Sequence, residues 1–129
     1  MGKTIICTGQ APAPVGPYSQ AVRYGNLIFI SGQISADVKT GEVIRQSVGD
    51  QTRAAMDIIR NVLQEQGAGM DSILKCTVHL SDAGCFSEMN KAYQTYFKEG
   101  EYPARLCVSG VQLYDGVDVE IDAVAGLEK

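Results

Sequence analysis

An α+β fold, with two helices packed on one face of a mixed sheet, is predicted by three observations. Apolar and polar residues alternate with period two in segments toward both ends of the chain. Residues 48–66 and 86–97 instead repeat their apolar residues at helical spacing. A single alternating segment, residues 74–80, separates the two helical ones, so the order reads β-β-(β)-α-β-α-β-β with two crossover helices. At 129 residues the chain is one domain, 1–129, able to bury about two-thirds of its unfolded surface in one core.

Residues 11–17, APAPVGP, cannot sit inside a strand or helix, because Pro12, Pro14 and Pro17 lack donors and fix the backbone; they form a shaped loop. Residues 18–23 and 27–31 flank Tyr24-Gly25-Asn26 and predict a β-hairpin. Gly32 and Thr40-Gly41 mark further turns, with a short strand at 42–44. In the first helix Val48, Ala55, Met56, Ile59, Val62 and Leu63 form the apolar stripe, with Ser47 and Gly67 as caps. Leu74, Cys76, Val78 and Leu80 alternate against Lys75, Thr77 and His79, a half-buried strand on which His79 is a surface residue rather than a ligand. Phe86, Met89, Tyr93, Tyr96 and Phe97 make the second helix's core stripe, starting near Ser81 or Asp82.

Two apolar strands close the chain, and each carries unusual polar residues. Arg105, Cys107 and Ser109 share one face of the first. On the second, Val117, Val119, Ile121, Ala123 and Ala125 form an apolar face, with Asp118, Glu120 and Asp122 opposite. The pattern reads as two neighbouring strands joined by a turn near Tyr114-Asp115-Gly116, and it leaves two readings open. One is an edge hairpin with a wet polar side and a surface ion pair worth roughly 0–1 kcal/mol. The other is a small-anion pocket, in which an arginine fork grips a carboxylate and Glu120 handles a proton or a water.

Composition narrows the classes. The net charge of -4 argues against a broad phosphate-binding surface, so nucleic acid is a poor partner. Cys7, Cys76, Cys85 and Cys107 show no CxxC spacing and there is one His, so no zinc pattern arises and the thiols read as reduced. The first ten residues, MGKTIICTGQ, carry neither a signal-peptide core nor an Arg-rich amphipathic pattern, and no apolar run could span a membrane. A cytoplasmic compartment is expected. Leu27, Ile28, Phe29 and Ile30 are apolar on both sides of their strand, so something must cover the second sheet face; another copy of the chain is predicted.

Six blocks resemble one family in the right order: GPYSQA (16–21), ISGQI (30–34), TGE (40–42), MNKAYQTYF (89–97), PARLCV (103–108) and VEIDAVA (119–125). The chain is similar to the Rid family, also called YjgF, and most of all to its RidA branch. The resemblance implies a chorismate-mutase-like fold, a homotrimer with sheets facing a central barrel, and clefts at the subunit interfaces. It implies hydrolysis of reactive enamine and imine carboxylates, 2-aminoacrylate and 2-aminocrotonate, to 2-keto acids and ammonia, with no cofactor and no metal.

By the same resemblance, Arg105 binds the substrate carboxylate and Glu120 holds the attacking water; these are the catalytic pair. Tyr18, Ser31, Gly32, Phe86, Asn90 and Cys107 would line the substrate site, Cys107 as a wall rather than a nucleophile. Leu113-Tyr114 stands where many members have Leu-Pro, and Asp122 where Glu is usual, so substrate preference is open. Two other classes compete: a carboxylate-binding regulatory module without turnover and, less favoured by the acidic balance, a ribonuclease or translation inhibitor.

Overall fold

The computed structural model describes residues 2–128. Strands β1 (Thr4–Ile6), β2 (Ala21–Tyr24) and β3 (Leu27–Gln33) are followed by α1 (Val48–Glu65), β4 (Ile73–Leu80), α2 (Phe86–Gln94), β5 (Ala104–Val108) and β6 (Val119–Gly126). The strands form one sheet in the order β1-β2-β3-β6-β4-β5. All pairs are antiparallel except β4 with β5. The α+β expectation holds: both helices lie on the same face of a mixed sheet, and α1 crosses β6 and β3.

Helix α1 begins where Ser47 accepts a hydrogen bond from the Asp50 amide on its hydroxyl at 3.1 Å. It ends at Gln66, after which Gly67 takes a φ of 73°, a conformation glycine adopts without strain. Its inward stripe, Ala55, Met56, Ile59, Val62 and Leu63, is wholly buried with Ile28, Val78, Val119 and Ile121 from the sheet. Glu88 of α2 accepts the Gly49 amide at 2.8 Å, so the second helix supplies a carboxylate to the positive end of the first. Because Leu63 is fully buried in this layer, Leu63→Ala should lower unfolding free energy by about 2–5 kcal/mol, as read by denaturant titration.

Several expectations need correction. β5 and β6 are not neighbours, because β4 lies between them and pairs with both. The two closing strands therefore form no hairpin. Nor do they share a polar side: Arg105 and Cys107 are in register with the buried Cys76 and Val78 on the helix side, whereas Glu120 pairs with His79 on the open side. Strand β5 is thus inverted, with its apolar Leu106 and Val108 exposed.

In β4 a register shift between Ile73 and Lys75 sends Ile73 into the core and leaves Leu74 exposed. The predicted first hairpin exists, but β2 starts at Ala21, and β3 runs past Ser31 and Gly32 to Gln33. The strand foreseen at 42–44 is one bridge, Ala36 to Val43, and β1 was not foreseen. Helix α2 stops at Gln94; Met89 and Tyr93 are core, Tyr96 and Phe97 are partly buried beyond its end, and Phe86 is exposed.

Candidate functional site

The eight residues singled out from the sequence fall into two groups on opposite faces of the sheet. On the helix side, at the β5 edge, the Arg105 guanidinium donates to the Asn90 side-chain oxygen at 2.7 Å. It lies 4.9 Å from the Tyr93 ring centroid and 5.7 Å from that of Phe86, a cation–π seat that holds a charge without neutralising it. Arg45, Arg53 and Arg60 each pair with an aspartate; among the described residues no carboxylate lies within 4.0 Å of Arg105. A positioned, unneutralised fork is what recognition of a carboxylate requires.

Cys107 is half-buried two residues along β5. Burial pushes its thiol up, and the weaker pull of Arg105 does not reverse the shift, so the group is a neutral thiol at pH 7. Beneath Arg105, burial also pushes Cys76 up to about 11 and Tyr93 upward. The Tyr93 hydroxyl has no hydrogen-bond partner of good geometry among the described residues, although it faces the Cys76 thiol.

The second group lines a cleft of roughly 420 Å³ on the other side. Tyr18, Ser31, Gly32 and Glu120 meet there, together with Tyr114. A β-bulge shapes it: Ile30 is opposite Ala123 and Gln33 opposite Ile121, so Ser31 and Gly32 together face the single Asp122. The Ser31 hydroxyl donates to the Ser19 carbonyl at 2.6 Å, tying the bulge to the Pro-rich loop. Gly32 is required because a Cβ there would overlap the Glu120 carboxylate and stand 3.0 Å from its Cδ. Gly32→Ala should therefore displace Glu120 and leave the fold intact; a melting temperature within a few degrees of wild type, with activity cut by ~10²-fold or more, is the expected pair of readings.

Sequence reasoning missed two contributors. Tyr93 carries Arg105, but its helical spacing marked it only as core. Tyr114 was noted as a departure, and the structure sets it in the cleft wall, where its loop is fastened by Arg45. Among the described residues no group of three or more His, Cys, Asp or Glu is gathered to hold a metal ion, and no helix is long and apolar enough to cross a membrane.

Residues 8–127 match the family model described as Endoribonuclease L-PSP. The chain is 40% identical to the 2-iminobutanoate/2-iminopropanoate deaminase of Escherichia coli over 97% of this chain and 98% of that one. A RutC family protein of Pyrococcus abyssi is 42% identical over 97% and 98% of the two chains. Among solved structures, E. coli TdcF with bound serine superposes with a TM-score of 0.89 at 35% identity, covering 97% of this chain and 99% of that one. On sequence and fold alike, the chain belongs to the Endoribonuclease L-PSP family, the YjgF/Rid family.

Proposed function

We propose that the protein is a hydrolytic deaminase of 2-imino acids and their enamine tautomers, 2-aminoacrylate and 2-aminocrotonate, which it converts to 2-keto acids and ammonia. The observation that carries this reading is the pairing of an unneutralised, ring-seated Arg105 with a Glu120 carboxylate set in a separate cleft. Each supplies one half of the chemistry. The name borne by the E. coli relative supports the substrate class.

The two halves lie on opposite faces of one chain, so a substrate touching both needs a second copy. The exposed apolar residues of the open sheet face, Ile5, Leu27, Phe29, Leu106 and Val108, supply a reason for copies to associate, since an uncovered patch of this kind is a typical interface. In the assembly, taken to be a trimer, Arg105, Asn90, Phe86 and Cys107 of one copy border the cleft formed by Tyr18, Ser31, Gly32 and Glu120 of the next. Light scattering reads the assembly directly.

The reaction follows from the groups present. The substrate's carboxylate binds the Arg105 fork, which fixes the imine carbon beside a water held by Glu120. As the water oxygen bonds to that carbon, the C=N electrons move to nitrogen, which takes a proton from solvent, and Glu120 accepts a proton from the water. The carbinolamine then breaks its C–N bond. The oxygen's electrons form the carbonyl, the oxygen's proton passes to solvent, and the proton on Glu120 leaves with the departing ammonia. Hydration and elimination need only water and proton transfers, so no cofactor is invoked.

A neutral Cys107 serves as a wall, and Cys107→Ser should keep kcat/KM within about tenfold of wild type, the scale of one neutral hydrogen bond. Loss of all activity in that variant would make the thiol a nucleophile. RNA is a poor substrate for this chain, since 11 basic residues face 15 acidic ones and three of the five arginines are already paired. The deciding assay is 2-keto acid release from freshly generated 2-aminoacrylate with and without the protein.

A further inference from the structure

Glu120 stands near the start of β6, where the sheet supports it on one side only. It pairs with His79 of β4, whereas the ladder with β3 stops at Ile121, and the strand itself begins at Val119. Strand ends open readily, and a reacting group misplaced by about 1 Å can lose about 10²-fold in rate. Something beyond the ladder must fix this end. The Asp118 amide donates to the Gln51 side-chain oxygen at 2.9 Å, and the Gln51 side-chain nitrogen donates to the Asp118 carboxylate at 3.1 Å, a reciprocal pair between α1 and the entry to β6. Ser81, which follows β4, donates its hydroxyl to the other carboxylate oxygen at 2.6 Å and its amide to the Asp118 carbonyl at 3.0 Å. Asp118 is thereby held through its amide, its carbonyl and both carboxylate oxygens.

The same helix residue reaches the opposite wall of the cleft. The Gln51 nitrogen also donates to the Gln46 carbonyl at 2.9 Å, the Gln46 side chain donates to the Ser35 hydroxyl at 2.8 Å, and that hydroxyl donates to the Ile44 carbonyl at 2.8 Å. Ser35 is fully buried, and its neighbours Ile34 and Ala36 line the cleft. Both walls are thus tied to Gln51, which is only 4% exposed, spends both amide hydrogens and its oxygen on these bonds, and is not itself part of the lining. The bonds are internal to one chain, so they persist whichever copy covers the cleft. Helix α1 is packed on the sheet by Ala55, Met56, Ile59, Val62 and Leu63 further along; what a satisfied buried network adds is a single arrangement of the groups it joins.

We propose that Gln51 is a positioning residue for Glu120: it touches no substrate, and it fixes the entry to β6 so that the carboxylate stays beside the imine carbon. The inference rests on the deaminase reading above, in which Glu120 holds the attacking water. The substrate carboxylate is gripped there by Arg105 of another copy, so displacement of Glu120 should appear in kcat and leave KM largely alone.

The test measures kcat and KM for the alanine-derived imine released by an amino-acid oxidase, with semicarbazide as the competing trap, well below the melting transition and with light scattering to count assembled protein. Gln51→Met, of nearly the same size, should lower kcat by ~10–10²-fold with KM within about threefold of wild type. Gln51→Glu, which sets a carboxylate against that of Asp118, should lower kcat at least as far. Adding Asp118→Asn to it should recover most of the loss, because the pair then regains an amide hydrogen from the other side. A merely structural role would lower the melting temperature and leave kcat per assembled protein at the wild-type value. That result, a loss confined to KM, a Gln51→Glu loss that Asp118→Asn does not repair, or failure of both Gln51 variants to assemble overturns the positioning role, while the wild-type rate leaves the reaction standing. No acceleration by wild type overturns both.

Discussion

Arg105→Ala is expected to lower kcat/KM for 2-aminoacrylate by ~10²–10⁴-fold. A bidentate grip consists of two charge-assisted hydrogen bonds, each worth about 1.5–3 kcal/mol, and every 1.4 kcal/mol is tenfold in rate. The residue is at the surface of an edge strand, so the fold should not share the loss. Arg105→Lys separates charge from geometry: it keeps the cation but loses the planar fork and its stacking on Tyr93 and Phe86. Its rate should fall between the two. Keto-acid release by Arg105→Ala at the wild-type rate, after subtraction of the spontaneous reaction, would remove Arg105 from the site.

Glu120→Gln should cost ~10²–10⁴-fold in kcat, the usual worth of a positioned general base, with KM little changed. The substitution preserves the side chain's size against Gly32 and replaces a charged, basic carboxylate with a neutral amide, so a loss is not a packing effect. It also separates catalysis from mere sensing. A regulatory module that binds 2-keto acids through Arg105 has no use for a base, and its calorimetric affinity would survive Glu120→Gln while no turnover was seen in either protein.

The parts of the fold that were legible in the sequence are those governed by local periodicity. Ala55, Met56, Ile59, Val62 and Leu63 specify one helix face whatever surrounds them, and Ser47 caps that helix through an amide three residues on. Pairing between distant segments was not legible. Strands β5 and β6 are separated by a turn-rich stretch, and their alternation is the same whether they pair with each other or with β4. The displaced Leu74 has a similar cause, since a bulge reverses the alternation without altering the composition.

The site residues were named from family motifs, but their division between two faces could not be read from parity. The rule that apolar residues point inward would turn Leu106 and Val108 toward the helices, yet the strand turns Arg105 and Cys107 there instead. That inversion makes sense if the open face is itself an interior, shared between copies. Local rules tend to fail where function or assembly overrides them.

The extra residue in β3 is dispensable to the sheet. With one of Ser31 and Gly32 deleted, Ile30 and Gln33 would be two apart, an even ladder would run from Ala123 to Ile121, and both would keep their present partners. The core therefore places no demand on the additional length. It follows that the irregularity is free to be lost by a single-codon deletion that leaves a foldable, smoother strand. Its presence in the chain sets Ser31 and Gly32 opposite Asp122, and with them the space beside Gly32 that the Glu120 carboxylate fills.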